Sequence, residues 1–198
     1  MYDWRRMTDR ERADALASRR AREHPWHAPP TSRRGDSFYH ITSACFEHAP
    51  ILGRSPERLT EFEAEVLTSL EQAGMRARAW CFLPNHYHLL VELDDAAPVK
   101  RLLGRAHGRS SCRWNREEGR TGRKVWYKAA DRYMRGERHF WATINYIHNN
   151  PVKHGYVKRW QDWPWSSAAG FLKEVGHAEG ERIWREFPVL DYGKGWDV

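Results

Sequence analysis

The sequence predicts an α+β fold in which helices cover an antiparallel sheet. Three observations support this prediction. Patterns typical of strands and helices follow one another in the order strand, helix, strand, strand, helix. Only Pro84-Asn85 separates the second strand from the third, so these two strands should pair antiparallel. The length of 198 residues and the 40% hydrophobic content suit one domain with a sizeable core.

The first three elements are predicted from side-chain periodicity. Residues 38–44 alternate and are rich in β-branched and aromatic residues, which indicates a strand. Residues 55–73 open with Ser-Pro-Glu, space apolar residues at helical intervals and precede a glycine, which predicts a helix. The second strand is predicted over 76–83 and the third over 86–93.

Two further helices are predicted over 98–118 and 137–150, with a basic, glycine-rich connector between them. Pro151 should end the last helix, because the residue before a proline is disfavoured in the α conformation. A polar helix over 8–23 and a proline-rich linker precede the first strand. The sequence therefore predicts a basic N-terminal arm and linker (1–36), a folded domain (37–175) and a C-terminal tail (176–198).

The charge distribution favours a polyanionic partner. The net charge is +7, and residues 100–138 alone hold 13 basic and 4 acidic side chains. No apolar run is long enough to span a bilayer and no secretory signal is visible, so we expect a cytoplasmic protein. The three cysteines form no C-x-x-C pair, which argues against a zinc ribbon or a disulfide framework, and Cys81 should be buried.

Two residue pairs could carry chemistry. Alternate side chains of a strand share a face, so His86 and His88 should project side by side and could chelate one divalent ion. From spacing alone, they fit either a metal site or two unrelated histidines. Tyr146 and Asn150 are four residues apart on a predicted helix and share one face. They fit either a nucleophile and a ligand or a packed aromatic and a helix cap, whereas His148 falls on a different face.

A basic stripe is predicted on the second long helix, because arginines recur there at every fourth position. Only Glu117 follows one of them by four residues, so neutralisation within the helix is limited. Together with the basic residues that follow, the stripe could track a DNA backbone. Trp126, Tyr127 and Tyr133 fit either base stacking or core packing. The predicted DNA-binding residues are Arg101, Arg105, Arg109, Arg113, Arg116, Arg120, Arg123 and Lys124.

Three motifs occur in a fixed order along the chain. Residues 83–90 (LPNHYHLL) resemble the "MPNH-x-HLL" strand of the single-tyrosine HUH transposases. Residues 145–155 (NYIHNNPVKHG) resemble the "YI-x-x-NPV-K-x-G" helix of the REP-associated tyrosine transposase branch of that family. Residues 163–167 (WPWSS) resemble the "PWSS" segment that follows it. With residues 38–42, these motifs span most of 38–170, and the resemblance implies an HUH endonuclease, ferredoxin-like fold.

The resemblance also implies a role for each matched residue. His86 and His88 would be metal ligands, Asn150 the polar third ligand and Tyr146 the attacking tyrosine. The implied activity is a metal-dependent single-stranded DNA endonuclease and strand transferase. It would act at hairpin-containing repeats through a 5′-phosphotyrosine intermediate. The ligand set suits Mg²⁺ or Mn²⁺. Tyr87 departs from the family pattern, where a smaller aliphatic residue is frequent.

Three other functions remain compatible with the sequence. A non-catalytic hairpin-binding protein would keep the basic face without cleaving DNA. A sheet-based RNA binder would need an aromatic strand, whereas the third strand presents two histidines. A zinc hydrolase using His86 and His88 would need a third fixed ligand and an activated water. The sequence does not distinguish a monomer from a homodimer.

Overall fold

A computed structural model describes residues 37–190 together with Thr8, Arg10 and Tyr192. The predicted N-terminal arm and linker otherwise lie outside the described residues, so the helix over 8–23 stays a prediction. The secondary structure consists of four strands and five α-helices in the described part of the chain. The strands are β1 (Phe38–Ala44), β2 (Arg76–Phe82), β3 (His86–Glu92) and β4 (Ala130–Tyr133); the helices are α1 (Pro56–Gln72), α2 (Ala96–Glu117), α3 (Glu137–Lys153), α4 (Ala168–Val175) and α5 (His177–Glu186).

The strands form one antiparallel sheet in the order β2-β3-β1-β4, so the α+β class predicted from the sequence is confirmed. β3 lies in the interior of the sheet, and Thr42 of β1 is paired with His88 on β3 and with Ala130 on β4. An interior strand is hydrogen-bonded along both edges. The side chains of β3 are therefore held on a rigid support.

One face of the sheet packs against α1 and α2. Burying a leucine or phenylalanine side chain contributes about 1.5–3 kcal/mol, so this layer anchors β3 firmly. Its fully buried members include Tyr39 and Ile41 from β1, Tyr87, Leu89 and Val91 from β3, Phe62 and Val66 from α1, and Val99, Leu103 and Trp114 from α2.

The opposite face packs against α3 in a second, smaller core. It includes Leu90, Cys81, Ile144 and Ile147. None of the helices in the described ranges is long and apolar enough to cross a membrane.

The W-P-W-S-S segment lies along the outer edge of β2. The backbone N–H of Phe82 donates to the carbonyl of Trp165 at 2.8 Å, and the N–H of Ser167 donates to the carbonyl of Trp80 at 3.1 Å. The Trp163 indole N–H donates to the carbonyl of Phe82 at 2.8 Å. These bonds satisfy backbone groups of an edge strand that would otherwise be open to pairing.

Three features differ from the sequence prediction. The connector before α3 contains β4, and the predicted C-terminal tail contains α5. The prediction that α3 ends at Asn150 is wrong, because the helix continues through Pro151 to Lys153. Gly155, at φ +75°, ends it instead: its N–H donates to Val152 O, and the following N–H donates to Pro151 O. This pair of bonds is a Schellman motif.

Candidate active site

His86 and His88 project from the same face of β3. Their ring centroids are 5.0 Å apart and the ring planes meet at 81°. Both side chains are buried. Tyr87 lies between them in sequence and points into the core on the other face of the sheet. The structure therefore places two imidazoles side by side, as strand alternation predicts.

Two asparagine side chains flank the His86 ring. Oδ1 of Asn85 lies 2.7 Å from Nδ1 of His86, and Oδ1 of Asn150 lies 3.1 Å from its Nε2. Both amide oxygens can only accept, and a neutral imidazole has one N–H, so it can donate to only one of them; in the tautomer whose Nδ1–H donates to the closer Asn85, Nε2 carries a lone pair. That lone pair faces a second acceptor, while Nδ2 of Asn150 is buried without a hydrogen-bond partner in the described residues. Nε2 of His86 and Oδ1 of Asn150 are placed so that both could bind one cation.

His40 contacts the second imidazole. Its Nε2 lies 3.1 Å from Nδ1 of His88. Burial, and then the neighbouring His86 and His40, lower the pKa of His88 well below its usual value. A neutral imidazole is the form that binds a metal ion. Because His40 engages Nδ1, a metal would bind His88 through Nε2.

His40 was not predicted from the sequence to be part of this site. The signal that could have identified it is the pairing of β1 with β3. Thr42 is opposite His88, so His40, two residues away, is a diagonal neighbour on the same face.

Tyr146 reaches the histidine pair from α3. Its ring centroid lies 5.2 Å from that of His88 with the planes at 71°, and the side chain is 1% exposed. Asn150 follows at the fourth position and Lys153 at the seventh, so all three belong to one stripe of the helix. Nζ of Lys153 lies 5.4 Å from the centroid of the Tyr146 ring. The structure thus brings all four predicted catalytic and metal residues together and adds a lysine that sequence reasoning missed.

Tyr192, from the C-terminal segment, covers Tyr146. The two ring centroids are 5.4 Å apart. The Tyr192 hydroxyl lies 2.6 Å from Oγ1 of Thr143, which fixes its position over α3. Arg132 of β4 lies opposite His40 in the β1–β4 pair, and burial lowers its pKa. The site is therefore enclosed by β1, β3, β4, α3 and Tyr192.

The residues present fit a divalent ion of the magnesium or manganese type. Among the described residues, no group of three or more His, Cys, Asp and Glu side chains forms a metal cluster. The third donor in this site is the amide oxygen of Asn150, 3.1 Å from the His86 nitrogen. Two imidazole nitrogens with an amide oxygen are compatible with Mg²⁺ and better suited to Mn²⁺.

His148 belongs to the core. Its Nε2 lies 2.9 Å from Oγ of Ser167, and its ring stacks on Trp160 at 5.6 Å with an interplanar angle of 1°. Burial lowers its pKa to about 3. His148 therefore has a structural position, away from the two imidazoles of β3, as its place on the helix predicts.

The basic residues predicted to contact DNA divide into two groups. Arg109 forms an ion pair with Glu65 at 2.8 Å, Arg113 lies 3.7 Å from the same carboxylate, and Arg123 pairs with Glu118 at 2.8 Å. Glu65 belongs to α1, so the charges of Arg109 and Arg113 on α2 are neutralised by a neighbouring helix. The remaining five have no carboxylate partner in the described part of the chain: Arg101, Arg105, Arg116, Arg120 and Lys124.

Two aromatic residues left open by the sequence are core residues. Trp126 is 7% exposed and stacks on His107 at 4.5 Å. Tyr133 packs on Tyr39 at 5.5 Å. The Tyr87 hydroxyl is hydrogen-bonded to Nε2 of His107 at 2.8 Å. A small aliphatic residue at position 87 could not form this hydrogen bond.

Comparison with known sequences gives matches to transposases. Residues 36–150 match the family described as "Transposase IS200 like". A protein of Haemophilus influenzae described as a candidate REP-associated tyrosine transposase is 32% identical over 123 residues, which cover 55% of this chain and 68% of that protein. A REP-associated tyrosine transposase of Escherichia coli K12 is 31% identical over 97 residues, covering 45% of this chain and 52% of its own length. The second match thus spans about half of that relative.

The fold is also similar to that of a solved structure. This is a REP-associated tyrosine transposase bound to a REP hairpin, with a TM-score of 0.56 and 20% sequence identity. The similarity covers 72% of this chain and 82% of the other. At this level of identity, the comparison shows a shared fold.

Proposed function

The chain belongs to the IS200-like transposase family and, within it, to the REP-associated tyrosine transposases; from that premise we propose that it cleaves and rejoins single-stranded DNA with Tyr146 as the nucleophile. The observation that carries this proposal is the convergence of four side chains from two elements. The Tyr146 ring lies 5.2 Å from the His88 ring, and Asn150 on the same helix contacts His86.

In the proposed step, the phenol oxygen of Tyr146 attacks a phosphorus atom of the DNA backbone. A bond forms between this oxygen and phosphorus, and the bond from phosphorus to the 3′ oxygen breaks. The phenol proton passes to water, and the departing 3′ oxygen takes up a proton from water and leaves as a hydroxyl. Because the 5′-phosphotyrosine keeps a phosphodiester bond, a second 3′ hydroxyl can reverse the step and join strands.

His86, His88 and Asn150 would hold Mg²⁺ or Mn²⁺, which when bound polarises the phosphate and stabilises the departing oxygen. Asn85 and His40 orient the two imidazoles through their Nδ1 atoms. Such partners fix the tautomer and direction of each ligand nitrogen.

Lys153 supports the nucleophile in this proposal. A tyrosine is mostly protonated at neutral pH, since its ordinary pKa is about 10. The Lys153 ammonium lies 5.4 Å from the centre of the Tyr146 ring. A cation next to a phenol favours its ionised form, and the same charge attracts the phosphate.

DNA must displace Tyr192 to reach the nucleophile, because Tyr146 is 1% exposed and Tyr192 packs on its ring. The related structure, solved with a REP hairpin, supports a hairpin-bearing single strand as the substrate. The five basic residues without carboxylate partners would contact its phosphates.

A covalent-adduct assay tests the proposal. The protein is incubated with Mg²⁺ or Mn²⁺ and a panel of labelled single strands that carry hairpins, and adducts are resolved on denaturing gels. We expect a metal-dependent adduct that Tyr146→Phe abolishes and that Tyr156→Phe, at a 43% exposed tyrosine outside the site, retains.

The other outcomes separate the alternatives. Cleavage by Tyr146→Phe at the wild-type rate would show that the nucleophile is wrong. Cleavage by the wild type without an adduct would indicate a hydrolase based on His86 and His88. Tight binding without cleavage of any strand in the panel would indicate a non-catalytic hairpin-binding protein.

A further inference from the structure

A groove of about 590 Å³ lies between α2 and the segment 123–129. Its volume is in the range of small-ligand sites. The residues of α2 that line it include Arg101, Gly104 and Gly108, which recur at intervals of three and four along one helical face. The opposite wall includes Lys124 and Lys128.

Two glycines keep the floor of the groove open. Gly104 and Gly108 lie in the interior of a 22-residue helix, where glycine is less favourable than alanine. A Cβ atom added at either position would meet nothing within 4 Å. Packing therefore does not explain these glycines, and their shared effect is an unobstructed surface on α2.

The rim of the groove is positively charged. Arg101, Lys124 and Lys128 have no carboxylate partner in the ranges that the structure describes, whereas Lys100 and Arg123 pair with acids. Nζ of Lys124 is 4.6 Å from the centre of the Phe46 ring, which keeps this charge at the groove. An apolar floor with a cationic rim complements a flat base attached to phosphates.

We propose that this groove binds unpaired nucleotides of the DNA strand, with bases on the floor formed by Gly104 and Gly108 and phosphates on Arg101, Lys124 and Lys128. The proposal rests on the proposed function and adds a substrate subsite to it. The bases must be unpaired, since a paired base keeps its faces stacked within the duplex.

The groove lies on the α2 side of the sheet, opposite the face that carries the histidine pair, and its wall leads into the edge strand β4. Thr42 is paired with His88 on one side and with Ala130 on the other. Two strand spacings separate His88 from Ala130, which is about 10 Å. Ala129, the last residue of the groove wall, directly precedes Ala130. In this proposal, a strand that leaves the groove here passes around the edge strand β4 to reach the histidine face of the sheet.

The test measures how much bases contribute to binding. Fluorescence anisotropy compares a labelled decathymidylate with an abasic strand of the same length, which has the same phosphates without bases. The wild type should bind the thymidylate at least about tenfold more tightly. Gly108→Leu, which fills the groove and favours helix formation, should bind both strands equally. Gly170→Leu, at an exposed glycine of α4 with open space around it, is the matched control and should behave as the wild type.

A second pair of variants tests the rim. Lys128→Ala should weaken binding of both strands and reduce the slope of log affinity against log salt by about 0.7, the value for one phosphate contact on single-stranded DNA. Lys173→Ala, on the exposed surface of α4, should leave the slope unchanged.

Three results would overturn the proposal: equal binding of both strands by the wild type, a full preference for thymidylate in Gly108→Leu, or a wild-type salt slope in Lys128→Ala. These results are independent of cleavage. If Gly108→Leu loses base-dependent binding but the wild type forms no covalent adduct, the groove proposal is supported and the proposed cleavage activity is rejected. If the wild type forms the adduct but Gly108→Leu binds both strands as the wild type does, the cleavage activity is supported and the groove proposal is rejected.

Discussion

Acidification should destabilise this protein through His107. The imidazole is 8% exposed, stacks on Trp126 and is hydrogen-bonded to the Tyr87 hydroxyl. Burial lowers its pKa to about 4. In the unfolded chain the same group has its ordinary pKa, so between these two values only the unfolded state binds a proton.

The magnitude follows from the two pKa values. At about pH 5, protonation of an exposed histidine with a pKa of about 6.5 stabilises the unfolded chain by about 2 kcal/mol relative to about pH 7.5. The folded chain gains almost nothing over this interval. His107 therefore contributes a loss of about 2 kcal/mol by about pH 5; the loss begins as the pH falls below about 6.5 and reaches about 3 kcal/mol near about pH 4.

Urea unfolding at the two pH values measures this loss. His107→Gln keeps a side-chain acceptor for Tyr87 and cannot titrate, so its free energy of unfolding should fall by about 2 kcal/mol less than that of the wild type. His177→Gln, at an exposed position on α5, should leave the pH dependence as it is. An equal pH dependence in the wild type and His107→Gln would refute the reasoning.

Three further predictions concern the fold and the access to the site. Gly53→Ala would place a Cβ atom 2.3 Å from Cβ of Pro84, which lies just before β3. This clash should lower the free energy of unfolding, measured by thermal unfolding, by about 1–3 kcal/mol. Gly170→Ala, whose Cβ would lie in open space, should stabilise the protein slightly. Burial alone would raise the pKa of Glu118, but hydrogen bonds from two arginines hold it at about 2. Glu118→Gln should therefore cost about 1–2 kcal/mol at neutral pH, because solvent screens part of the ion pairing, and the deficit should shrink as the pH falls from about 4.5 toward 2, which unfolding at several pH values would show. Tyr192→Ala should speed formation of the covalent adduct in single-turnover assays, and an unchanged or slower rate would show that Tyr192 does not limit access.

The parts of the site that the sequence predicted are those governed by local periodicity. Alternation along β3 places His86 and His88 on one face, and a spacing of four on α3 places Tyr146 with Asn150. Each relation needs only one element. The pairing of His40 with His88 was not predicted, because it depends on the register between two strands that are distant in sequence.

Long-range geometry also explains the other differences. β4 has only four residues, with the exposure pattern of an edge strand and no apolar alternation, so periodicity could not reveal it. The acids that neutralise Arg109 and Arg113 lie on α1, and an inspection of α2 alone misses them. Sequence patterns within an element were therefore reliable here, while relations between elements required the folded structure.

The last turn of α3 shows how one local exception completes the site. Pro151 lacks an N–H and removes one helical hydrogen bond, but it lies in the final turn, where the bonds around Gly155 close the helix. Because the helix continues, Lys153 keeps the stripe position seven residues after Tyr146 and three after Asn150. A helix that ended at Asn150 would release Lys153 from this stripe and remove its charge from the tyrosine. The proline is tolerated because the glycine, four residues later, sets the true end of the helix. The N-P-V-K-H-G sequence therefore positions a cation at Tyr146, the proposed nucleophile.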